Sequence, residues 1–391
     1  MAKLSNRTSK FTDSVIRRMT RVANKYGAIN LSQGFPDFDP PVEITRRLAE
    51  VAVKGPHQYA LTWGAQNFRE ALARKHERFS GQKIDPDKEI VVTCGSTEAM
   101  MASMMSVTNP GDKVIVFSPF YENYGADAIL SGAEPIYVPL NPPDFSFDYL
   151  GLENAFKKGA KAIIVCNPSN PSGKVFTYEE LSQIAELAKK YDTFVITDEV
   201  YEHIIYEPYK HVYMSTLPDM KDRTIICNSL SKTYSITGWR LGYVIANEDV
   251  IDRVKKVHDF LTVGAAAPLM EAAVVGLEFG DEYYEELRQH YTHMKNLFLG
   301  GLRDIGLTFT EPQGAYYVMV DVSEFGVKDD TRFSEWMAEK VGVAPVPGSS
   351  FFKEDIQNYV RFHFAKNDDT LEEALSRLSR LPDIALSYSE Q

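Results

Sequence analysis

The sequence has 391 residues, 44% of them hydrophobic, and a formal net charge of −12 at pH 7. Since a domain commonly holds roughly 100 to 200 residues, this length allows one large core and a smaller second one. The acidic charge disfavours nucleic acids and anionic membranes as partners, and no stretch reaches the roughly 20 apolar residues of a membrane span. We therefore expect a cytoplasmic protein.

The N-terminal 40 residues contain a predicted helix near residues 13–25, followed by the stretch "INLSQGFPDFDPP". Neither part fits the pattern of strands and helices that comes later in the chain. We expect this segment to join a second structural layer formed by the C-terminal part of the chain.

The middle of the chain alternates between short apolar runs and amphipathic helices. Helical spacing of apolar residues occurs in "STEAMMASMMSVT" and "TYEELSQIAELAKKY". The predicted strands are "EIVVTC" (89–94), "KVIVFS" (113–118), "KAIIVC" (161–166), "TFVITD" (193–198), "TIICNS" (224–229) and "YVIA" (243–246). Apolar runs without alternation indicate strands that are covered on both faces, and hence a three-layer α/β arrangement around a mostly parallel sheet.

The pattern changes after about residue 285. A long charged helix begins near Asp281, and it is followed by strands in "AYYVMVDV" and "YVRFHFA" and by helices around 331–342 and 370–380. This order of elements indicates a smaller α+β domain. We predict a large domain of residues 45–285 and a small domain formed by residues 1–44 and 286–391.

Three cysteines, Cys94, Cys166 and Cys227, each stand in a β-like run and lack CxxC spacing. This pattern argues against a disulfide framework and against a zinc site. We expect small buried strand residues and no bound metal.

Polar residues follow the predicted strands, at the sheet edge where α/β proteins bind their ligands. The turn "GSTEA" (95–99) offers N–H groups and hydroxyls for a phosphate, although Ser or Thr before a helix is often only a cap. Asn170 and Tyr121 can contact a ring, or can serve as a turn former and a core residue. Asp198 can pair with a cation or cap a helix, and Lys232 lies in "NSLSKTYSITGWRLG".

Pyridoxal phosphate requires this combination of groups. It carries a phosphate, a flat ring with a phenolic oxygen, a ring nitrogen that must be protonated, and an aldehyde that reacts with a lysine. Each single residue has an ordinary structural explanation, but the complete set in this order favours a cofactor site.

These motifs together resemble those of the pyridoxal-phosphate enzymes of fold type I, specifically the class I/II aminotransferases. The similarity extends over nearly the whole chain, through "LSQGFPDFDPP", "QYALTWGAQNFREAL", "GSTEA", "NPSNPSGKVF", "DEVY", "SLSKTYSITGWRLGY", "GAYYVMVD", "GVAPVPGSSF" and "YVRFHFA". The resemblance implies a homodimer with a shared active site and a ping-pong transfer of an amino group to a 2-oxo acid.

The same resemblance implies roles for the residues around the cofactor ring. Lys232 binds the aldehyde covalently and removes the substrate α-proton, while Asp198 keeps the ring nitrogen protonated. Tyr201 and Asn170 contact the phenolic oxygen, and Tyr121 stacks on the ring. The catalytic set is then Lys232, Asp198 and Tyr201.

The resemblance also implies residues at the two ends of the site, which bind the anionic groups of cofactor and substrate. The phosphate is held by Ser96, Thr97, Ser229 and Arg240, together with Tyr59 from the neighbouring subunit. The substrate α-carboxylate is bound by Arg361 in a bidentate manner, with Asn170 and the backbone of Gly34 close to it.

The identity of the substrate is predicted from the stretch "FLTVGAAAPLM" (260–270), which is apolar and has no arginine. Together with a resemblance of "LSQGFPDF" to kynurenine, glutamine and methionine aminotransferases, it favours aromatic or bulky apolar amino donors and 2-oxoglutarate or another 2-oxo acid as acceptor. Arg17 and Arg18 remain candidates for a cation near the substrate, so aspartate aminotransferase is an alternative. A C–S β-lyase is a second alternative, whereas a dinucleotide oxidoreductase is disfavoured because no G-x-G-x-x-G follows the early strands.

Overall fold

The computed structural model describes residues 2–385 and Tyr388. Residues 1, 386, 387 and 389–391 of the predicted small domain lie outside this part. The strands are β1 (Ile29–Asn30), β2 (Ile90–Thr93), β3 (Lys113–Ser118), β4 (Glu134–Asn141), β5 (Ser146–Phe147), β6 (Ala160–Cys166), β7 (Phe194–Asp198), β8 (Thr224–Ser229), β9 (Gly242–Ile245), β10 (Thr308–Phe309), β11 (Tyr317–Asp321), β12 (Val343–Ala344), β13 (Val346–Pro347) and β14 (Tyr359–His363).

The helices include all of those predicted from apolar periodicity. They are α1 (Val15–Tyr26), α2 (Val42–Lys54), α3 (Gln66–Ser80), α4 (Ser96–Val107), α5 (Asn123–Leu130), α6 (Tyr149–Lys157), α7 (Tyr178–Lys190), α8 (Glu248–Thr262), α9 (Ala267–Leu277), α10 (Asp281–Ile305), α11 (Asp330–Trp336), α12 (Asp368–Leu378) and α13 (Leu381–Ala385). The helix predicted at 331–342 is α11 followed by a π-helical turn, Met337–Val341.

The large sheet has eight strands in the order β2-β9-β8-β7-β6-β3-β4-β5. The pairings β3–β4, β3–β6, β6–β7 and β7–β8 are parallel, whereas β9 runs antiparallel to both of its neighbours and β5 antiparallel to β4. The prediction of a mostly parallel sheet is confirmed. The six predicted strands are all present, and β4 and β5 are additional.

The large sheet is covered on both faces, as its apolar strands predict. In β6, Ile163 and Val165 pack with residues of α6 and α7, while the alternate residues Ala162 and Ile164 pack with residues of α4 and α8. Because successive strand residues point to opposite faces, one strand contributes to two cores. The three-layer arrangement is therefore confirmed.

The C-terminal part forms a second, four-stranded antiparallel sheet with the order β10-β11-β14-β13. Helices α10 and α12 pack on it through a shared core. The N-terminal segment contacts the C-terminal part of the chain, since Ile29 and Asn30 pair in parallel with Val343 and Ala344. The predicted domain boundary at residues 285/286 stays a prediction, and α10 runs across it.

The three cysteines are free thiols. Cys227 is buried within β8, as predicted. The prediction is wrong for Cys94, which follows the end of β2 and is only partly buried, and Cys166 at the end of β6 is also partly buried. No helix of the described residues is long and apolar enough to cross a membrane.

Candidate active site

A cavity of about 420 Å³ lies at the carboxyl ends of β6, β7 and β8. Its walls also include the beginning of α4, the beginning of α1 with the loop after β1, and side chains of β11 and β14. This is the edge at which α/β sheets commonly bind ligands, because the loops that follow parallel strands meet there.

Nearly all of the predicted site residues line this cavity. They are Gly34, Ser96, Thr97, Tyr121, Asn170, Asp198, Tyr201, Ser229, Lys232, Arg240 and Arg361. Tyr59 does not line it, and the side chain is 88% exposed on the single chain. Ser231, Tyr124 and Tyr317 also line the cavity, although the sequence did not single them out.

Lys232 lies just after β8, and its side chain is partly buried. Its Nζ donates a hydrogen bond to the carbonyl oxygen of Gly34 at 3.1 Å. Burial, and then the positive charge of Arg240, lower the pKa of Lys232 to about 8, while the charge of Asp198 acts in the opposite direction. The lowered pKa increases the share of the neutral amine near neutral pH, and the neutral amine is the form that acts as nucleophile and base.

Asp198 is the last residue of β7 and is 8% exposed. Its Oδ2 accepts a hydrogen bond from the Tyr124 hydroxyl at 2.7 Å, and its Oδ1 accepts one from the Val200 N–H at 3.4 Å. Burial raises the pKa of Asp198, and the Tyr124 hydrogen bond partly opposes this effect. A cation at this carboxyl would stabilise its ionised form.

Arg361 lies in β14 and is fully buried. Its two terminal nitrogens donate to Asn170 Oδ1 at 2.7 Å and to the Ser32 carbonyl oxygen at 2.5 Å, whereas its Nε has no partner. No carboxylate within residues 2–385 forms an ion pair with it. Because a buried unpaired charge is costly, this guanidinium is suited to an anionic ligand.

Tyr317 connects several of the predicted residues. Its hydroxyl lies 2.8 Å from that of Tyr201, and its ring centroid lies 4.3 Å from the guanidinium carbon of Arg361. A Cβ atom at Gly34 would overlap the Tyr317 hydroxyl. Gly34 is therefore required for this close approach, in addition to exposing the backbone carbonyl that Lys232 contacts.

The opposite end of the cavity combines hydroxyl groups with a cation. Ser96 and Thr97 open α4, where backbone N–H groups are free to bind an anion. Arg240 donates to the Thr237 carbonyl oxygen at 2.7 Å and adopts a left-handed backbone conformation with φ 55°. Its guanidinium occupies the place that a side chain at Gly95 would fill.

Comparison with known proteins identifies the family. The sequence profile described as "Aminotransferase class I and II" matches residues 26–378. The chain is 34% identical to N-succinyldiaminopimelate aminotransferase from Mycobacterium tuberculosis, and the two structures superpose with a TM-score of 0.94 over 97% of this chain and 100% of the other. The chain belongs to the class I and II aminotransferases.

Other aminotransferases show similar relationships to it. The methionine aminotransferase of Escherichia coli K12 is 34% identical and covers 94% of this chain and 96% of its own length. The kynurenine–oxoglutarate transaminase of Dictyostelium discoideum is 32% identical and covers 97% and 96%, respectively. The chain is thus a transaminase that uses pyridoxal phosphate, the cofactor of its family.

The cavity fits this cofactor on structural grounds. Arg240 and the hydroxyls near it suit a phosphate, the buried carboxyl of Asp198 suits a protonated ring nitrogen, and Lys232 offers an amine of lowered pKa. The remaining buried cation, Arg361, stays available for a substrate carboxylate.

A second polar cluster lies outside the cavity, next to Lys75 of α3. Oxygen or nitrogen atoms of Glu199, Glu202 and His211 lie within 4.8 Å of one another. Lys75 Nζ is 2.8 Å from Glu202, and the Thr197 hydroxyl donates to Glu199 at 2.8 Å. Both carboxylates therefore have protein partners, and the absence of a bound metal stays a prediction.

Proposed function

We propose that this aminotransferase transfers the amino group of an aromatic or bulky apolar L-amino acid to a 2-oxo acid such as 2-oxoglutarate by a ping-pong mechanism. The main support for the binding of both substrates is the buried guanidinium of Arg361. Its Nε is free, and it has no carboxylate partner among the described residues. Apolar walls from Ile16, Phe35 and the Tyr121 ring support an apolar donor, as do the methionine and kynurenine specificities of the relatives.

The cofactor is held, in this proposal, by residues at three places in the cavity. When bound, pyridoxal phosphate supplies an aldehyde that condenses with amines and a ring that accepts the electron pair of the broken Cα–H bond. The ring is contacted by Asp198, Tyr121, Asn170 and Tyr201. The phosphate is bound by Ser96, Thr97, Ser229 and Arg240.

Lys232 has two tasks in this proposal. Its amine would hold the cofactor aldehyde, and as a free amine it would accept the proton from the substrate Cα and later give it back. The pKa of about 8 supports both tasks, since neutral and protonated forms are then close in free energy. Asp198 would keep the ring nitrogen protonated and Tyr201 would contact the phenolic oxygen, so that the ring can accept the electrons released by this proton transfer.

Arg361 orients the substrate by its α-carboxylate. Two parallel hydrogen bonds from a guanidinium fix a carboxylate in position and direction. Asn170 and Ser32 already hold the two terminal nitrogens, so the guanidinium loses little side-chain freedom when the substrate binds. Gly34, which lies against the Tyr317 hydroxyl, would bring its backbone close to the same carboxylate.

We propose further that the enzyme is a cytoplasmic homodimer. A group of large apolar side chains is exposed on the single chain, and we refer to it as the apolar patch: Tyr59, Leu61, Phe260, Leu261 and Val263. Its two segments are neighbours, because a ring nitrogen of His258 lies 3.0 Å from the Thr62 carbonyl oxygen. A partner subunit that covers the patch would bring its own Tyr59 towards the phosphate end of the cavity.

The role of Arg361 is tested with an Arg361→Met variant and a panel of amino acids. Loss of two charge-assisted hydrogen bonds predicts a KM for the amino donor that is higher by about 100-fold or more. The visible absorbance of the bound cofactor should be retained. An unchanged KM would contradict the proposal.

The same panel separates transamination from the alternative reaction. An aminotransferase converts its bound cofactor to the amine form with the preferred donor and requires an added 2-oxo acid for turnover. A C–S β-lyase would release pyruvate and a thiol from cysteine conjugates without any added 2-oxo acid. The donor with the fastest conversion identifies the substrate, and aspartate is included as the alternative donor.

A further inference from the structure

A buried ion pair lies outside the cavity, on the turn that follows β7. Glu202 stands on this turn, directly after Tyr201, and its Oε1 lies 2.8 Å from Lys75 Nζ of α3. Its Oε2 accepts a hydrogen bond from the Tyr213 hydroxyl at 2.7 Å. Both members of the pair are more than nine-tenths buried, and neither lines the cavity. The pair therefore acts on the cavity only through other residues.

Stability alone is a weak reason for such a pair. Removing two charges from water carries a large desolvation cost, and apolar residues of similar volume often stabilise a core equally well. Although burial acts to raise the pKa of Glu202, the charge of Lys75 is the largest opposing effect, and the pKa lies well below its usual value. Glu202 is thus an ionised carboxylate in a fixed position and a strong acceptor for a further donor.

The further donor is Asn228, near the end of β8. The parallel pairing of β7 with β8 ends at Asp198 and Cys227, so Asn228 and Ser229 extend beyond β7. Asn228 Nδ2 donates to Glu202 Oε1 at 3.0 Å, and its Oδ1 accepts from the Ser229 N–H at 2.7 Å. Because a carboxamide has a donor at one end and an acceptor at the other, only one orientation forms both bonds.

Ser229 connects these contacts to the cavity. It lines the cavity, and its hydroxyl accepts a hydrogen bond from the Ser231 N–H at 3.3 Å. A continuous series of contacts therefore leads from Lys75, through Glu202 and Asn228, to the backbone of Ser229.

We propose that Glu202 is a positioning residue for the phosphate end of the cavity. Its carboxylate, fixed by Lys75, orients Asn228. Asn228 in turn holds Ser229 where the serine hydroxyl binds the cofactor phosphate. This inference rests on the proposed function, in which Ser229 is one of the phosphate-binding residues.

The physical reason is the directionality of hydrogen bonds, which weaken steeply when donor and acceptor are misaligned. Without the Glu202 oxygen, the buried Nδ2 of Asn228 has lost its acceptor, which is costly. A rotation of the carboxamide towards another acceptor would release the Ser229 N–H. The Ser229 hydroxyl would then bind the phosphate less well.

The test measures how much the phosphate contributes to cofactor binding. Pyridoxamine 5′-phosphate and pyridoxamine differ only in the phosphate, and neither forms a covalent bond with a lysine. Their binding to the full-length enzyme, after removal of its own cofactor, is compared by calorimetry. The ratio of the two dissociation constants, which we call the phosphate preference, reports on the phosphate end of the cavity. A general loss of stability affects both ligands alike.

Two double variants separate the side-chain oxygen from the charge. Lys75→Met/Glu202→Met removes the acceptor of Asn228 and leaves no unpaired charge of the pair in the core. Lys75→Met/Glu202→Gln removes the same charges but retains an oxygen that accepts from Asn228 Nδ2. The control is Lys174→Met/Glu180→Met, which removes another ion pair with a buried lysine, at 2.7 Å and outside the cavity.

We expect the wild type, the control and the variant with glutamine at position 202 to bind pyridoxamine 5′-phosphate about 100-fold or more tightly than pyridoxamine. In Lys75→Met/Glu202→Met the phosphate preference should fall by about tenfold, which corresponds to one hydrogen bond to a charged group. Affinity for pyridoxamine itself should change little.

An undiminished phosphate preference in Lys75→Met/Glu202→Met would overturn the role of Glu202. An equal loss in Lys75→Met/Glu202→Gln would also overturn it, because the side-chain oxygen would then not be what orients Asn228. Failure of the proposed function gives a different result. A wild type without phosphate preference, or a Ser229→Ala variant that retains the full preference, would refute the proposed phosphate site itself and this inference with it.

Discussion

Lys232, Arg240 and Arg361 face one cavity, and none of them forms an ion pair within residues 2–385. The chain as a whole has a net charge of −12. A local concentration of positive charge on an acidic protein attracts small anions to that place and repels them elsewhere. The cofactor phosphate and the substrate carboxylates are anions of this kind.

Tyr124 positions the carboxylate of Asp198 through a 2.7 Å hydrogen bond. This bond lowers the pKa of Asp198 against the effect of burial, so its removal in Tyr124→Phe should raise that pKa. The ionised carboxylate would then be lost at a higher pH as the solution is acidified. We expect the acidic limb of the pH profile of kcat to move to higher pH.

The control for this measurement is Tyr234→Phe, which removes a hydroxyl from another buried pair, 2.9 Å from Tyr284 and outside the cavity. It should alter stability without moving the acidic limb. The same profile in Tyr124→Phe and the wild type would show that Tyr124 does not tune Asp198.

Much of the cavity could be predicted from the sequence because its residues follow strands whose ends meet at one edge. Asp198 and Lys232 are examples, since Asp198 ends β7 and Lys232 lies three residues after the end of β8. Tyr124 and Tyr317 could not be predicted in this way, because aromatic residues are most often core residues. Their contacts depend on how α5 and β11 pack against the large sheet. The spacing of residues along the sequence does not reveal this packing.

At the level of secondary structure, the apolar strands were predictable and β4 was not. The sequence of β4, "EPIYVPLN", contains Pro135 and Pro139, which lack the N–H that a strand interior requires. β4 tolerates them because its outer neighbour, β5, is only two residues long and leaves much of that edge unpaired. The position of β4 near the edge of its sheet therefore allows a strand that its two prolines disfavour.

Two adjacent glycines in α10 should respond in opposite ways to alanine. Gly300 has open space around its position, whereas a Cβ at Gly301 would overlap the side chain of Leu375 on α12. Gly300→Ala should stabilise the protein by about 0.5–1 kcal/mol through helix propensity. Gly301→Ala should destabilise it by about 1–3 kcal/mol through overpacking.

Differential scanning calorimetry of the two variants would measure these changes as shifts of the melting temperature. Each glycine serves as the control for the other, since the chemical change and the helix are the same. Shifts of the same sign would mean that α10 and α12 do not pack as described here.

For the whole molecule, the apolar patch predicts a dimer of about twice 44.1 kDa. Phe260→Glu places a charge in this surface, where Phe260 is 89% exposed on the single chain, and should produce monomers that retain the cofactor less tightly. Leu150→Glu changes another exposed apolar residue, on α6, and should remain dimeric. Sedimentation equilibrium would distinguish these states, and a dimeric Phe260→Glu variant would place the subunit interface elsewhere.

In the proposed mechanism one amine, that of Lys232, carries the cofactor. Treatment of the purified enzyme with sodium borohydride fixes the bond between pyridoxal phosphate and its lysine, and mass spectrometry of the digested protein then locates the modified residue. We predict that the peptide containing Lys232 is modified. In a Lys232→Ala variant, the corresponding peptide should carry no modification. Modification at a different lysine in the wild type would contradict the assignment of Lys232.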